Sequence, residues 1–511
     1  MADDTLVIVG AGSSGAVIAT RVTENPSRSV TLYEAGPDYP AVSFDALSSL
    51  PEDLRNGGRN SMRDHDWGQR FLPNDRSDET FFPRGKVTGG SSAVNTCIAL
   101  RGQPWDYDAW AELAGEQWSF EACLPAFRRL EHDLDIDNRW HGQEGPIRIA
   151  RPQKLAELHG AFVESALRSG FERCADHNDP TTTGVGPHAM NKIDGARIST
   201  AVGYLPLARA RPNFRLHADT LVNRVVFRGR RVIGLEVVVE GRHEFRPARR
   251  VVLCAGATNT PGILWRSGIG PRPHLDRLGI EVKVDAPVGQ FLSDHPGSGI
   301  LIAHREGFPT GAGFDPSLPI IQATLRFGVD EERPNEMQLQ PIAFVDLEGI
   351  PWTMALAVVV GTPSGSGTLT YTSARPTAKP VLDSRLGHHP DDRRKLVAGI
   401  RHALRVMEQP ELSAVGRSVW PDPSLLDRDD SRWVLPGTGS GYHPACTAPM
   451  GPADDGRSVC DGYGRVYGVE GLFVADASAM PNIVSSNLNL PTIMMGERFG
   501  AWFRDGPLAH E

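Results

Sequence analysis

The chain opens on a run that admits few folds: Thr5-Leu-Val-Ile-Val-Gly-Ala-Gly-Ser-Ser-Gly15, leading through residues 16–22 to Val30-Thr-Leu-Tyr-Glu-Ala35. Residues 6–9 are a short apolar run of buried-strand type, and Gly10, Gly12 and Gly15 follow directly as G-x-G-x-x-G. Residues 16–22 read as a helix, and 30–33 as a second strand that ends at Glu34. This is a β-α-β unit with an acid about twenty residues beyond its glycines, the pattern of a dinucleotide site. Each part has a mechanical reason. Gly10 permits the tight turn, Gly12 lets backbone approach a pyrophosphate, and Gly15 lets the helix pack close to the strand. Ser13, Ser14 and the free N–H groups of the helix N-terminus are placed for phosphates. The Glu34 carboxylate, followed by Ala35, is placed to accept hydrogen bonds from ribose hydroxyls. With no arginine beside it, this acid suits the free 2′-hydroxyl of FAD or NAD better than NADP.

At 511 residues the chain is too long for one core and predicts two or more domains. A hydrophobic content of 40% with 23% charged residues is that of a soluble globular protein. A net charge of −9, without a basic run, argues against a nucleic-acid surface. Met-Ala-Asp-Asp enters the first strand with neither a basic region nor an apolar one, which predicts no secretory signal. No apolar run approaches a bilayer span, so no transmembrane helix is expected. Cys97, Cys123, Cys174, Cys254, Cys446 and Cys460 are scattered without a C-x-x-C pair. They read as reduced thiols of a cytoplasmic protein. His388-His389 precedes Pro390 and two acids, a solvated turn, and no metal is expected.

Residues 37–81 form a long polar segment with a possible short helix at 44–54. A loop of this length is usually functional or a lid; Trp67, Phe71, Phe81 and Phe82 favour packing over a disordered linker. A Gly- and hydroxyl-rich stretch, residues 84–102, supplies backbone able to lie against a planar or anionic ligand. Helices are predicted at 105–113, 120–130 and 155–168, a strand at 213–216, and a hairpin from 221–228 and 232–240. Residues 251–256 form another apolar strand ending in Gly256, followed by Pro261 in a helix's first turn. Successive β-type runs at 320–327, 337–344, 354–360 and 367–372 predict a mostly antiparallel sheet, with a helix at 393–407 against it. Residues 472–475 are a buried strand with Asp476 at its carboxyl end, where doubly wound sheets bind ligands. Residues 493–503 form a closing helix.

The chain resembles the glucose–methanol–choline (GMC) family of FAD-dependent oxidoreductases over nearly its whole length. Three blocks carry the resemblance besides the N-terminal fingerprint. One is Gly85-Lys-x-x-Gly-Gly-Ser-Ser-x-x-Asn95; another is Gly256-Ala-x-x-Thr-Pro-x-Ile-Leu-x-x-Ser-Gly-Ile-Gly270. The third comprises His443-Pro444, Met450-Gly451, Asp476-Ala-Ser-x-Met-Pro481 and Asn487-x-Asn489-x-Pro-Thr492. Three positions depart from it. Thr88 replaces an aliphatic residue, Cys446 stands where the family commonly has Gly, and Val94 stands where some members carry a flavin-linking His. Attachment by that route is impossible here.

The resemblance implies an α/β protein: a Rossmann-like FAD domain with a second domain built on a mostly antiparallel sheet plus helices. It assigns 1–150, 213–295 and 437–511 to the FAD domain and 151–212 and 296–436 to the substrate domain. It implies noncovalent FAD held by Gly10, Gly12, Ser13, Ser14, Gly15, Glu34 and Ala35. Further contacts are Gly85, Val87, Gly90, Ser91, Asn95, Val222, Ala255, Gly256, Asp476, Ala477, Asn487, Pro491 and Thr492. It makes His443 the catalytic base and Asn489 its partner on the substrate oxygen. Oxidising an alcohol needs a base for the hydroxyl proton while hydride leaves carbon, and histidine suits that task near neutral pH. Asn487 reads equally as a substrate contact or a turn cap, and Asp476 as a flavin contact or a helix cap. Cys446 reads as a space-filling thiol. The expected activity is oxidation of a small-molecule alcohol, with oxygen or a quinone-type carrier as acceptor. A hydroxynitrile lyase on the same fold and a non-catalytic flavin-binding protein are the rival readings.

Overall fold

The computed structural model describes residues 5–58, 64–308, 318–330, 332–347 and 350–509. Its first core is a five-stranded parallel sheet in the order Phe214–His217, Ser29–Tyr33, Thr5–Val9, Arg250–Leu253, Leu472–Val474. Leu6, Ile8, Val251, Val252 and Val474 are all buried, as expected where helices cover both faces of a parallel sheet. The register sets Val9 beside Tyr33 and Leu253, and Leu253 beside Val474. Gly10, Glu34, Cys254 and Asp476 therefore emerge along one carboxyl edge, although 466 residues separate the first from the last (476 − 10).

The predicted hairpin forms from Thr220–Arg228 and Arg231–Val239 and gains a third strand, Arg242–Pro247. That strand is almost wholly exposed, so it lacks the apolar alternation by which strands are read from sequence.

The second core lies under a seven-stranded, mostly antiparallel sheet. Its main path runs Gly416–Trp420, Pro296–His304, Ile350–Val360, Met337–Leu347, Ala323–Phe327, Gly184–Pro187. Helices Glu157–Arg168 and Pro390–Met407 cover one face, through Leu158, Phe162, Leu396 and Ile400. His389 caps the second helix by accepting from the Asp391 N–H at 3.3 Å, which gives it a structural role. The strand expected at 367–372 is shorter and lies elsewhere. Thr368–Thr370 pairs with Val381–Asp383, and Leu369 and Leu382 are buried in the first core.

The long segment after the fingerprint is ordered by its aromatics, and its residues 59–63 lie outside the described residues. Two short helical turns, Phe44–Ser49 and Glu52–Arg55, precede a two-stranded ladder of Gln69–Phe71 with Thr80–Phe82. Phe71 and Phe82 are buried there, with ring centroids 4.7 Å apart. Among the described residues no helix is long and apolar enough to cross a membrane.

The closing helix, Asn489–Arg504, packs directly on the first helix, Gly15–Val22. Gly496 and Gly500 make this close approach possible. A Cβ at Gly496 would lie 2.9 Å from the Ser14 carbonyl oxygen, and one at Gly500 2.7 Å from Arg21 Cβ. Between them the wholly buried Glu497 accepts from Arg21 at 2.8 Å, Arg129 Nε at 2.8 Å and the Tyr204 hydroxyl at 2.6 Å. Truncating one partner of a buried ionic network strands the others. Glu497→Ala is therefore expected to lower unfolding free energy by about 3–5 kcal/mol, measured by urea denaturation, with Glu497→Gln less damaging because it keeps an acceptor.

Candidate active site

A cavity of about 1150 Å³ opens along the carboxyl edge of the parallel sheet and extends beneath the seven-stranded sheet. Its first wall is the fingerprint turn. Gly10 has φ +99°, and a Cβ there would lie 2.4 Å from the Cys254 carbonyl oxygen. Gly90, with φ +51°, comes so close that its Cβ would lie 2.7 Å from Gly12 Cα. The two glycine loops thus meet backbone to backbone, tied by the Gly89 N–H donating to the Ala11 carbonyl at 2.8 Å. Only residues without side chains leave a groove at such a junction.

Glu34 lies at the same edge, accepting from the Ala11 and Gly36 N–H groups at 2.9 Å each. Burial raises its carboxyl to about 7 against the pull of these backbone donors. Ser14 Oγ is buried without a hydrogen-bond partner beside it. Gly12, Ser13, Ala35, Gly85, Ser91 and Asn95 also line the cavity, as do Val222, Ala255, Gly256, Ala477 and Thr492. A glycine cradle, a carboxylate at the second strand's end and an orphaned hydroxyl fit an FAD molecule.

Three of the expected contacts stand back from the wall. Gly15 packs under the turn, where a Cβ would meet the Gly10 carbonyl oxygen at 1.9 Å. Val87 is buried in a small cluster with Val42 and Leu54, and Pro491 is buried in the closing helix. Asp476 lines the cavity, yet its carboxylate is fully engaged by protein. It accepts from Gly256 N at 2.8 Å, Thr260 Oγ1 at 2.6 Å, Ser478 N at 2.8 Å and the Ser478 hydroxyl. Capping, the alternative reading, is present in the geometry.

The opposite wall follows from strand alternation. Residues such as Ile300, Met337, Leu356 and Val358 point into the second core. Their alternates face the cavity in three cross-strand rows: Gly297–Val359–Gln338, Gly299–Ala357–Gln340 and Leu301–Ala355–Ile342. Small residues open the first two rows, and two amides supply their polarity. Gln338 Oε1 accepts from Gln340 Nε2 at 2.6 Å, while Gln338 Nε2 reaches the Ser485 carbonyl at 3.4 Å. These nine wall positions hold no charged side chain.

Where the two walls meet lies a pair of histidines, each followed by proline. His443 Nδ1 is 2.9 Å from His295 Nδ1, and His295 Nε2 is 2.8 Å from the Val484 carbonyl. On its other side His443 Nε2 is 3.1 Å from Asn487 Nδ2. Asp294 Oδ1 accepts from the backbone N–H of His443 at 2.9 Å and of His295 at 2.7 Å. Burial pushes the Asp294 carboxyl up to about 6. Burial, the neighbouring His295 and the Arg84 guanidinium hold the His443 imidazole well below its usual range. Burial likewise lowers His295 to about 4.

Asn487 Oδ1 and both amide atoms of Asn489 are buried without partners. Both asparagines line the cavity, and Asn487 touches His443, so the three unsatisfied amide atoms belong to residues of the cavity wall. Asn489 opens the closing helix one turn earlier than expected from the sequence. Cys446 adopts φ +65°, the left-handed conformation that favours glycine. This is why the departure from Gly there matters. Its wholly buried thiol is pushed up to about 12 by burial, which fits a space-filling role.

Sequence reasoning missed Asp294, His295 and the two glutamines. The signal was present for one of them, since Asp294-His-Pro296 repeats the His-Pro of 443–444 ahead of a β-type run. Away from the cavity, Glu131, Asp133 and His141 form the only group of three possible metal ligands among the described residues. The cation positions there are taken. Arg101 bonds Glu131, Arg151 bonds Asp133 at 2.9 Å, and His141, raised to about 10 against its burial by three carboxylates, bonds Asp176 at 2.8 Å.

Known proteins agree with this architecture. The two GMC oxidoreductase family models match residues 5–297 and 363–496. An oxygen-dependent choline dehydrogenase of Chromohalobacter salexigens is 35% identical, over 96% of this chain and 93% of its own length. A 5-(hydroxymethyl)furfural oxidase of Methylovorus sp. is 33% identical, over 96% and 97%. Among solved structures, a pyridoxine 4-oxidase from Mesorbium loti superposes with a TM-score of 0.88 at 26% identity, covering 98% of this chain and 99% of that one. The chain belongs to the GMC oxidoreductase family and is an FAD-dependent alcohol oxidoreductase.

Proposed function

We propose that this enzyme oxidises an uncharged alcohol, with His443 Nε2 as the base that takes the hydroxyl proton. The carrying observation is His443 itself, set between His295 and Asn487 at the junction of the two walls and held neutral by burial. Bound FAD supplies the hydride acceptor. The substrate hydroxyl takes the place that the Asn487 amide fills against Nε2, and the unpartnered Asn489 amide holds the same oxygen as charge develops on it.

The finer substrate reading rests on the sheet wall. A quaternary ammonium group needs a facing carboxylate or an aromatic cage. The three rows offer amides and small apolar residues; elsewhere the lining carries the cations Arg84 and Lys379, and also Asp78, Trp420, Trp433 and Tyr442. On these three rows a neutral alcohol, with a polar substituent for Gln340, fits better than choline, and the aromatic side of the lining makes the comparison with choline the deciding test. The proposed division of labour keeps the expected segments: 1–150, 213–295 and 437–511 for FAD, 151–212 and 296–436 for substrate. Buried free cysteines support a reducing, cytoplasmic setting. The acceptor is oxygen or a quinone-type carrier, and admitting air after anaerobic bleaching separates the two.

Five outcomes test this reading. Acid precipitation should release yellow flavin into the supernatant, since Val94 offers no attachment point; flavin retained in the pellet contradicts noncovalent binding. Glu34→Ala should weaken FAD binding by about 1.5–3 kcal/mol, the worth of charge-assisted hydrogen bonds, read as Kd in titrations of apoprotein. In stopped-flow reduction, His443→Ala should slow bleaching by roughly 10²–10⁴-fold with normal FAD content. A rate within about threefold of wild type removes the base assignment. Because His443 titrates below its usual range, the wild-type rate should be level above about pH 6.5 and fall only on the acid side. Finally, a neutral hydroxymethyl arene should give at least about tenfold higher kcat/KM than choline, a difference of about 1.4 kcal/mol; equal values overturn the neutral-substrate reading.

A further inference from the structure

We propose that His295 is a positioning residue for this reaction, fixing His443 in the tautomer that carries its proton on Nδ1 and bares the Nε2 lone pair to the cavity. The inference rests on the reading of His443 as the base. Its logic starts at a group that cannot titrate. The Val484 carbonyl can only accept, and it lies 2.8 Å from His295 Nε2, so that nitrogen carries the proton. A neutral His295, which burial favours, then has a bare Nδ1. The 2.9 Å contact between the two Nδ1 atoms needs one proton, and only His443 can supply it. His443 Nε2 is left as an acceptor, and Asn487 Nδ2 donates to it at 3.1 Å.

The Asn487 amide alone does not settle this, because its oxygen and nitrogen are interchangeable in shape. Turning it over would ask His443 to donate from Nε2. Two bare Nδ1 lone pairs would then face each other at 2.9 Å, unless His295 turned its own bare Nε2 toward a carbonyl. The Val484 carbonyl thus decides the protonation of a ring two residues removed from it in the hydrogen-bond chain.

The backbone holds both rings in this relation. Asp294 Oδ1 accepts from both histidine N–H groups, Gly441 N donates to the His295 carbonyl at 2.8 Å, and Ser293 and Ala445 exchange hydrogen bonds at 2.9 and 3.1 Å. The rings meet edge to face at 71° with centroids 5.0 Å apart. When His443 Nε2 accepts the alcohol proton, the Nδ1–H bond to His295 persists unchanged. The proton travels no further along this chain, because His295 Nδ1 would have to pass its other proton to a carbonyl. His295 therefore orients the base and does not relay from it, and the proton leaves by way of Nε2 and the cavity.

Nitrogen-15 spectra of histidine-labelled holoenzyme and apoprotein test the tautomer directly, with His443 assigned by the signals lost in His443→Ala. The expected pattern is a protonated, pyrrole-type Nδ1 and a bare, pyridine-type Nε2; the reverse pattern in the wild type overturns the proposal without any variant. In His295→Leu the pattern should shift to the Nε2–H form. Flavin reduction should slow by roughly 10²-fold, at the lower end of a general base's contribution, with FAD content and alcohol Kd nearly unchanged. His295→Gln can accept from His443 Nδ1–H and donate to Val484, so it should restore the wild-type pattern and most of the rate. A leucine variant that keeps the wild-type pattern, or a folded, flavin-loaded glutamine variant no better than leucine, counts against the proposal. His443→Ala near wild-type rate would instead remove the base reading, leaving the tautomer result to stand alone.

Discussion

A single buried carboxylate holds the two ends of this chain together. Glu497 receives Arg21 from the first helix, Arg129 from Phe120–Leu130 and Tyr204 from the segment before Leu205–Arg209. A charge with no exposure is tolerable only when its hydrogen bonds are satisfied, so these four side chains specify one arrangement of their backbones. Gly496 and Gly500 bring the helices close enough for those bonds to form. The consequence is chemical as well as structural. The helix anchored by Glu497 carries Asn489 at its start, and the residues just before it carry Asn487, so the clamp sets these cavity-lining asparagines over a sheet edge built from the other end of the sequence.

The cavity is a product of two sheets with opposite rules. The parallel sheet contributes its carboxyl edge, where every strand ends in phase and backbone groups with glycines make the groove. The antiparallel sheet contributes a face. Its alternation sends one set of residues into the second core and the other, in three cross-strand rows, toward the cavity. Neither sheet alone encloses the reacting atoms; the histidine pair lies where they meet, with Asp294 tying both backbones.

The proposed chemistry depends on keeping His443 neutral and aimed. A carboxylate partner would raise the basicity of His443, as in triads where an acid orients the imidazole. Here the partner is a second, neutral imidazole, and Asp294 is spent on backbone N–H groups. Burial and the nearby guanidinium of Arg84 lower the pKa further. In the proposed reaction such a weak base takes the hydroxyl proton as hydride departs from the adjacent carbon, which makes that hydroxyl acidic.

The amino-acid sequence determined the parallel half almost completely. Gly10, Gly12, Gly15 and Glu34 stand at fixed spacing around short apolar runs, and such local patterns depend only on neighbours in the chain. His443, Asn487 and Asn489 were legible through the motifs that contain them. Tertiary structure alone decided the rest. That Asn487 touches His443 and that His295 is its partner 148 residues away (443 − 295) depend on contacts between distant segments, and that Gln338 and Gln340 face the cavity follows from strand register. Period-two alternation says that residues share a face but not which face is inward. The exposed strand Arg242–Pro247 was invisible because its side chains bury almost nothing, and Asp476 proved engaged as a cap because its donors arrive from Gly256 and Thr260 across the sheet. Local sequence fixes what a segment is; only the long-range contacts fix which side chains meet.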